Sequence, residues 1–455
     1  MTERPTMLHL GSGKRNLTGF LNIDLDPAAD LQHDLRRPLP FEDAAFEGIF
    51  SEHFIEHLTA ADAGRFLREC LRVLKPGGRL RLATPDLDAV IAAYQGNWRD
   101  QPWIKQFGIG GLTNRACMLN LSLREWGHQW VYNEEELRRQ LLSAGFCGVR
   151  RFDVGVSAEP LFRTAEYRTD SLVLEARSPL PTKRPSDLPP ALVSVLLPAY
   201  HTAFFPIAFR SALEQTYKNL EVIVSDDSPN DDTERLVTAC GDPRVSYVRN
   251  TPALGSRNNY LACFARAQGE YIKFLNDDDY LAPNCVERMV AVLDQCPQVA
   301  LVTSYRQQVD AEGKPLPDRP FTAPLTRGDM IIDGTAIMDV LMRRLTNFIG
   351  EPTTTLFRRT QADAEPDFMS LGGTAVHWNV DVAIWAHLLQ VGALAYLREP
   401  LSFFRRHPGQ EQHQSGVDVL NRTAWTQIRE LWAGLGRPIQ ARDGASCIPL
   451  PKVAG

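Results

Sequence analysis

The stretch Gly269-Glu-Tyr-Ile-Lys-Phe-Leu-Asn-Asp-Asp-Asp-Tyr280 decides the fold of the second half of this chain. Its apolar run predicts a buried strand, and three consecutive carboxylates, Asp277 to Asp279, follow where that strand ends. Adjacent carboxylates repel one another unless a cation or solvent compensates their charge. The sequence therefore predicts a divalent ion, holding a diphosphate, at the end of this strand.

Two strands upstream also end in polar residues. The strand at 192–197 runs into Pro198 and Tyr200, and the strand at 220–224 runs into Asp226 and Asp227. A parallel sheet binds its ligands beyond the carboxyl ends of its strands, so these ends are predicted to face one crevice.

This ordered set of motifs, across about 192–408, resembles the inverting family 2 glycosyltransferases of the GT-A fold. The resemblance implies that Asp226 or Asp227 hydrogen-bonds the base of a nucleotide-diphosphosugar and that Asp278 ligates Mn²⁺ or Mg²⁺ directly, while Asn276 stands at the first position of the family's Asp-x-Asp. The residues implied for the nucleotide are Pro198, Tyr200, Asp226, Asp227, Arg257 near the phosphates and Asp277 on the ribose. The implied metal ligands are Asp278, Asp279 in support and His407, which can also contact phosphate.

An inverting transfer needs a base that removes the acceptor's proton on the face opposite the leaving diphosphate. The segment Trp378-Asn-Val-Asp-Val-Ala-Ile-Trp385, with Asp381 at its centre, resembles the acidic base of that family at the start of a helix. The alternative is a carboxylate that only stabilises the helix dipole. The segment 351–355 is predicted to form a wall on the acceptor side.

The first half opens with a different pattern. Met7-Leu-His-Leu10 predicts a short strand, Gly11, Ser12 and Gly13 follow it, and a second strand ends in Asp24. Glycines let backbone approach a ligand closely, and a carboxylate at this place can accept two hydrogen bonds from a ribose diol.

Together with a helix of apolar period and the turn at 74–78, this pattern resembles the class I S-adenosylmethionine-dependent methyltransferases across about 7–177. The short connection after Gly13 predicts a shortened first helix. The residues implied for the cofactor are Gly11, Ser12 and Gly13 at its amino-acid end, Asp24 at the ribose, Asp34 and Leu35 at the adenine, and Glu52 with His53 at the floor of the pocket.

His53-Phe-Ile-Glu56-His57 leaves three interpretations open. The pattern H-x-x-E-H matches an inverted zinc-hydrolase motif, in which two histidines bind Zn²⁺ and Glu acts as base. Alternatively, the histidines are satisfied on a helix face. In the third interpretation, methyl transfer to a hydroxyl uses a general base, with His53, His57 and His128 as candidates in falling order.

The whole chain has 455 residues, which is too many for one ordinary domain, and a Pro-rich segment at 179–191 predicts a linker. We therefore expect an α/β protein with a Rossmann-like methyltransferase domain at 1–178, a GT-A domain at 192–413 and a C-terminal helix and tail at 414–455. The tail after that helix is predicted to be loosely held.

The composition and net charge of the chain limit the partners and the compartment that we expect for it. The formal charge of −6 gives no general reason to bind nucleic acid, and eight cysteines without a CxxC pair suit a reducing compartment. We expect a cytoplasmic protein, because no leader or membrane span is evident. Three arginine pairs suggest either contact with anionic lipids at the inner membrane face or solvated surface: Arg343-Arg344, Arg358-Arg359 and Arg405-Arg406.

The main hypothesis is a bifunctional enzyme that transfers a sugar to a glycan or lipid-linked glycan and methylates that glycan or a related acceptor, in the synthesis of a bacterial surface polysaccharide. The alternative keeps the glycosyltransferase and makes the first domain a binding or assembly module. The nucleotide, the sugar, the methylated atom and the oligomeric state stay open at this point.

Overall fold

The computed structural model describes residues 5–106, 108–109, 111–180, 189–200, 202–362, 367–410, 417–435, 439 and 445–451. The chain forms two compact units, Met1–Pro181 and Thr182–Gly455. Most of the predicted linker, 181–188, lies outside the described residues, as do parts of the predicted tail. The predicted domain boundaries therefore stay predictions.

The first unit is an α/β sheet structure. Its strands are β1 (Met7–Leu10), β2 (Phe20–Asp24), β3 (Leu31–Gln32), β4 (Phe46–Glu52), β5 (Leu74–Pro85), β6 (Cys147–Phe152) and β7 (Ser171–Arg177). Its α-helices are α1 (Ala60–Val73), α2 (Leu87–Gln95), α3 (Pro102–Gln106), α4 (Arg115–Asn120) and α5 (Glu134–Ala144). Short helical turns cover Ile55–His57, Trp98–Asp100, Leu121–Glu125 and Pro160–Thr164.

The strand order is β3-β2-β1-β4-β5-β7-β6, and β7 runs antiparallel to both of its neighbours. Strands β1 to β5 are parallel, and the order reverses between β1 and β4, which opens a crevice beyond the end of β1. Residues 11–19, all of them described, form turns and no helix. The helix that we expected to be shortened is therefore absent, and the chain reaches β2 through a tight loop.

The helix predicted from the apolar period is α1. Thr59 caps it by accepting a hydrogen bond from the Asp62 N–H, and its buried face carries Phe66, Leu67 and Cys70. These side chains belong to the same core as the apolar residues of β1, β4 and β5. Burial of this face fixes the helix against the sheet.

A group of charged residues is buried in and beside this sheet. Arg81, on β5, has a fully buried side chain that pairs with Glu166 and, at 2.7 Å, with Glu175. It also donates to the carbonyl oxygen of Val156 at 2.9 Å. Its guanidinium therefore neutralises two buried carboxylates at once.

We expect Arg81→Met to destabilise the first unit by about 3–5 kcal/mol, because removing one member of a buried ionic group leaves the others uncompensated. Urea unfolding measures the loss. Arg79→Met is the matched control, since Arg79 is 28% exposed and lies 3.7 Å from Glu175; it should cost less than about 1 kcal/mol. Equal losses in the two variants would contradict the prediction.

The second unit is also α/β. Its strands are β8 (Val193–Ala199), β9 (Leu220–Asp226), β10 (Val245–Arg249), β11 (Tyr271–Phe274), β12 (Tyr280–Leu281), β13 (Val299–Val309), β14 (Met330–Ile332), β15 (Thr355–Arg358), β16 (Ser370–Leu371), β17 (Thr374–Ala375), β18 (Ala393–Arg405) and β19 (Cys447–Pro449). Its helices are α6 (Phe205–Leu213), α7 (Asp232–Cys240), α8 (Ser256–Arg266), α9 (Cys285–Gln295), α10 (Gly334–Arg344), α11 (Arg359–Ala362), α12 (Val380–Leu389) and α13 (Val417–Gly434), with a helical turn at Pro352–Thr354.

The main sheet has the order β10-β9-β8-β11-β15-β13-β18-β14-β19, and β12 pairs with β18. Strands β10, β9, β8 and β11 are parallel, so the polar residues after β8, β9 and β11 lie at one edge, as predicted. The described part of the tail is not loose throughout, because β19 pairs with β14.

The helix that carries Asp381 is held rigidly. Seven residues of α12 from Ala383 to Leu389 are buried, and the Trp385 indole donates to the carbonyl oxygen of Gly350 at 3.2 Å. Trp425 and Trp432 of α13 belong to the same core. A catalytic group at the start of α12 thus has a fixed position.

One arginine of each of two predicted pairs is buried. Arg358 is 3% exposed and donates to the carbonyl oxygen of Val299, and Arg405 is 2% exposed and lies against the ring of Phe204. Both interpretations of these two side chains, lipid contact and solvated surface, are wrong because packing and carbonyl oxygens enclose them. Among the described residues, no helix combines the length and apolar character needed to cross a membrane.

Candidate active sites

The acidic segment after β11 holds its carboxylates in different ways. Asp278 Oδ2 lies 3.2 Å from His407 Nε2 and accepts a hydrogen bond from the Gln410 amide at the same distance. Asp278 and His407, predicted as metal ligands, are thus adjacent although 129 positions separate them. A carboxylate and an imidazole at this distance can share one divalent ion.

Asp279, the third predicted metal ligand, is fully buried. It accepts a hydrogen bond from the Thr353 hydroxyl at 2.7 Å and another from the Arg405 N–H at 3.0 Å. Burial, followed by the charge of Asp278, holds its pKa well above the usual range. Of the two predicted modes, this geometry favours support of the site over direct ligation.

Asp277 accepts a 2.6 Å hydrogen bond from the Tyr200 N–H. This contact joins the end of β11 to the end of β8, which contains the buried Pro198. The Tyr200 side chain is 56% exposed. It therefore offers an aromatic face at the mouth of the crevice, where a base can stack.

Asp226 and Asp227 accept hydrogen bonds from β10 and from the loops that follow β9 and β10. Asp226 is fully buried and accepts hydrogen bonds from the Tyr247 hydroxyl and the Ser228 N–H. Asp227 accepts from Asn250 and from the N–H groups of Leu254 and Gly255. Contact with a base stays a prediction, and of the two carboxylates only Asp227, 5% exposed, reaches the surface.

Arg257, predicted near the phosphates, is engaged within the protein. Its guanidinium pairs with Asp367 and donates to the carbonyl oxygen of Val376 at 3.0 Å. Sequence reasoning missed Asp367, which carries no motif. A contact between Arg257 and phosphate stays a prediction. For that contact, the guanidinium must either bind Asp367 and phosphate together or release Asp367.

Asp381 has the properties of a general base. Its Oδ2 accepts a 2.7 Å hydrogen bond from the Asn347 amide, and burial raises its pKa to about 6. Glu351, on the predicted acceptor-side wall, raises that pKa further, while Arg306, which pairs with Glu351, lowers it. A base with a pKa just below neutrality is ionised at pH 7 and still basic enough to accept a proton.

The segment 347–353 lies between Asp381 and the acidic segment. Asn347 donates to Asp381, and the Thr353 hydroxyl donates to Asp279. The Tyr260 hydroxyl donates to Asn276, and burial, followed by the charges of Asp278, Asp279, Asp277 and Asp381, raises its pKa well above the usual range. Asp381 and the acidic segment are thus joined through one short stretch of chain.

In the first unit, the loop after β1 packs closely against Phe54 and the end of β2. Gly11 has a φ of +76°, and a Cβ atom there would lie 2.6 Å from the Cβ atom of Phe54. The Gly13 N–H donates to Asp24 at 2.9 Å, while the N–H groups of Gly11 and Ser12 donate to the carbonyl oxygen of Ile23. The end of β2 thus holds this loop.

A cavity of about 330 Å³ lies beside this loop. Asp24, Asp34, Leu35 and Phe54 line it, so it brings together three residues that were predicted for the cofactor's ribose and adenine. The hydrogen bonds from Arg36 hold the pKa of Asp34 at about 2, so that carboxylate is ionised at neutral pH. These groups fit a nucleoside.

Glu52, expected at the pocket floor, is 6% exposed. It pairs with Arg15 at 3.3 Å and accepts hydrogen bonds from the N–H groups of Tyr167 and Arg168. Burial raises its pKa. In this structure its carboxylate holds the 167–168 segment, and contact with the cofactor stays a prediction.

A second cavity, of about 280 Å³, adjoins the first through His57. His53, with a φ of +49°, contacts the Ser171 hydroxyl through Nε2 and lies 3.1 Å from Glu56 through Nδ1. Since the helical turn begins only at Ile55, His53 and His57 are not on one α-helix. The zinc-hydrolase interpretation, which needs that helix, is therefore wrong.

We expect Gly11→Ala to weaken binding of S-adenosylhomocysteine by at least about tenfold, because the methyl group must displace Phe54 at a left-handed φ. Isothermal titration measures the affinity. Gly64→Ala is the matched control, since its methyl group would meet Arg68 at an ordinary 3.6 Å. If Gly11→Ala binds as tightly as the unaltered chain, this loop does not contact the ligand.

Two protein-family models match the sequence of this chain. The methyltransferase domain family covers residues 8–82, and glycosyl transferase family 2 covers residues 194–361. The protein contains a methyltransferase domain followed by a family 2 glycosyltransferase domain. The matches agree with the two α/β units, so both predicted fold classes are confirmed.

Relatives of this fusion protein share parts of it. An uncharacterised protein of Mycobacterium tuberculosis is 30% identical over 48% of this chain and 67% of its own length. The UDP-Glc:alpha-D-GlcNAc-diphosphoundecaprenol beta-1,3-glucosyltransferase of Escherichia coli is 33% identical over 23% of this chain and 41% of its own length. Chondroitin synthase of Escherichia coli is 33% identical over 27% of this chain, which spans 18% of that protein.

Among solved structures, Staphylococcus aureus TarS in complex with UDP-GlcNAc matches with a TM-score of 0.39 and 14% identity. The match covers 53% of this chain and 65% of TarS 1-349.

Sequence reasoning missed several residues that shape the glycosyltransferase site. These are Tyr247, Asn250, Tyr260, Asn347 and Gln410. Tyr247 lies on β10, Tyr260 lies on α8 and the others lie in loops; none belongs to a motif, and their contacts join segments apart in sequence.

Proposed function

We propose that the glycosyltransferase domain moves a sugar, with inversion, from a nucleotide-diphosphosugar to a glycan or lipid-linked glycan, and that the methyltransferase domain methylates that glycan or a related acceptor with S-adenosylmethionine. The observation that carries the first part is Asp381, a carboxylate with a pKa of about 6. Asn347 donates to it, and Thr353, in the same short segment, donates to Asp279 of the acidic segment. The raised pKa of Asp381 suits removal of a proton from an acceptor hydroxyl.

The residues present fit a divalent ion and a diphosphate. Asp278 and His407 would hold the ion, which supplies positive charge to the leaving diphosphate. Asp279 and Thr353 brace the segment from inside, and Tyr200 stands where a base can stack. Asp381 accepts the hydroxyl proton as the new glycosidic bond forms.

The methyltransferase part is supported by the cavity beside Gly11. Its lining includes Asp24, which accepts a hydrogen bond from the Gly13 N–H of the loop, and carries carboxylates suited to the hydroxyl and amino groups of a nucleoside. S-adenosylmethionine would supply the methyl group there. His57 lines both this cavity and the adjoining one, and His53, the first candidate for the base, lines the adjoining cavity, where an acceptor would lie.

Joining the two domains raises the concentration of one site's product near the other. The beta-1,3-glucosyltransferase of Escherichia coli, one of the relatives, is named for an acceptor that carries diphosphoundecaprenol. That name supports an acceptor carried on a lipid, as in surface polysaccharide synthesis, and contact of this protein with the inner face of a membrane.

A second candidate, a binding or assembly module, is favoured by the missing helix between β1 and β2. A thermal-shift titration separates the two. UDP, GDP, dTDP and CMP are added with and without Mn²⁺, and S-adenosylhomocysteine is added alone. A ligand at 100 times its dissociation constant stabilises its domain by roughly 2.7 kcal/mol.

We expect one diphosphate to raise one transition only with Mn²⁺, and S-adenosylhomocysteine to raise the other. If millimolar S-adenosylhomocysteine shifts neither thermal transition, the first domain is a binding or assembly module and the methyltransferase proposal fails. If none of the nucleotides shifts a transition, the glycosyl-transfer proposal fails.

A further inference from the structure

Three side chains that can ligate a metal meet in the second cavity of the methyltransferase domain. They are Glu56, His57 and His128, and one possible ligand atom from each lies within 4.8 Å of the others. All three line the cavity. We propose that they form a site for a divalent transition-metal ion, best suited to Zn²⁺, which binds a hydroxyl oxygen of a sugar acceptor at its open position.

The backbone fixes the three ligands relative to one another. The N–H groups of Gln129 and Trp130 donate to the carbonyl oxygen of Glu56 at 2.7 and 3.1 Å, and the Gln129 side chain donates to the carbonyl oxygen of His57 at 2.8 Å. The segment carrying His128 is therefore tied to the turn carrying the other two ligands. A site held in this way needs little rearrangement to receive an ion.

Each side chain offers a suitable atom. His128 Nδ1 donates to the carbonyl oxygen of Ser122 at 2.8 Å, so its Nε2 keeps the lone pair of a neutral imidazole. Within the described residues, the ring nitrogens of His57 have no hydrogen-bonding partner, and its ring lies 5.1 Å from that of His128. The Ser122 carbonyl oxygen thus orients the His128 ring and fixes its tautomer, as carbonyl oxygens commonly do for metal-binding histidines.

Glu56 supplies the charge. Its side chain is fully buried, the Thr84 hydroxyl donates to its Oε2 at 3.0 Å, and His53 Nδ1 lies 3.1 Å from its Oε1. Two imidazoles and a carboxylate form a common set for catalytic Zn²⁺, which keeps a further position open for a ligand. The set differs from the H-x-x-E-H pattern, because His128 replaces His53.

An ion held by these three residues would adjoin a cavity suited to a sugar. Trp103 and Trp126 lie edge to face at 5.7 Å, and both line it. Aromatic faces pack against the apolar face of a sugar ring while its hydroxyls reach polar groups. This assignment of the ligand rests on the proposed methyl transfer to a glycan, whereas the metal site itself does not.

The test uses the full chain, stripped with a chelator, loaded with Zn²⁺ and dialysed, with zinc measured by mass spectrometry. Asp278→Asn removes the predicted ion of the glycosyltransferase domain from the count. In that background we expect about one Zn²⁺ per chain, lost in both His57→Gln and His128→Gln and retained in His377→Gln, which alters an exposed histidine of the other unit. Circular dichroism checks that the variants fold.

Co²⁺ gives a second readout, because a four- or five-coordinate site absorbs visible light more strongly than a six-coordinate aquo ion. The band should disappear in both histidine variants. No zinc in the unaltered chain, or the same content in the two folded variants, overturns the metal site. If S-adenosylhomocysteine raises a thermal transition but the chain binds no zinc, the methyltransferase proposal holds and the metal site fails. If the chain binds zinc but S-adenosylhomocysteine raises no transition, the metal site holds and the methyltransferase proposal fails.

Discussion

Replacing Asp381 by Asn should lower the turnover of glycosyl transfer by roughly 10²–10⁴-fold and leave nucleotide affinity within about twofold, because the amide cannot accept the acceptor's proton. Steady-state kinetics and nucleotide titration measure the two quantities. The unaltered enzyme should lose activity tenfold per pH unit below about pH 6, where Asp381 becomes protonated.

Asp381→Asn should also be more stable to unfolding than the unaltered protein at high pH. The folded state raises the pKa of Asp381 to about 6, so the ionised carboxylate disfavours folding. That cost is absent below the unfolded pKa near 4, grows as the pH rises, and is complete above pH 6. Asp381→Asn should therefore gain on the order of 2 kcal/mol at pH 8 and almost nothing at pH 4.

Asp232→Asn is the matched control, since Asp232 is an exposed carboxylate in the first turn of α7. It alters a charge at a helix start without touching the site. It should change neither turnover nor the dependence of stability on pH. Turnover of Asp381→Asn equal to that of the unaltered enzyme would assign Asp381 to the helix dipole alone and move the base elsewhere.

Replacing Asp278 by Asn should reduce the transfer rate at saturating Mn²⁺ by roughly 10²–10³-fold, because the ion loses a charged ligand and with it the compensation of the leaving diphosphate. A rate measured against Mn²⁺ concentration gives both the affinity and the limiting rate. Glu312→Gln, which alters an exposed carboxylate, should behave as the unaltered enzyme.

His407→Asn sharpens this prediction. Because Asp278 and His407 lie 3.2 Å apart, the two substitutions should act on one ion. The double variant should then lose much less than the product of the two single losses. Fully multiplicative losses, or a normal Mn²⁺ response in Asp278→Asn, would contradict a shared metal site.

The sequence predicted the parts of both sites that follow directly from strands. Gly11 and Asp24, and likewise Tyr200 and Asp277, come immediately after apolar runs, and parallel strands bring their carboxyl ends to one edge. Asp381 was indicated by the resemblance of residues 378–385 to the acidic base of family 2 glycosyltransferases at the start of a helix, and α12 begins at Val380. These signals are local, so they survive without knowledge of the fold.

Partners of these residues could not be predicted in the same way. Asp227 holds the loop that contains Leu254 and Gly255, and Arg257 pairs with Asp367 across 110 positions. Nothing in the local pattern of Asp367 marks it. The predictions for Arg358 and Arg405 were wrong for the same reason, because burial depends on which elements pack around them.

The sequence by itself determined the two α/β domains, the strand ends that face each crevice and the residue types gathered there. Only the tertiary structure decided that His128 joins Glu56 and His57, that Asp279 turns inward, and that Asn347 fixes Asp381. The physical reason is that apolar period and turn chemistry act between residues close in sequence. Hydrogen bonds and metal ligands instead join whichever side chains sheet order and loop paths bring within a few ångströms.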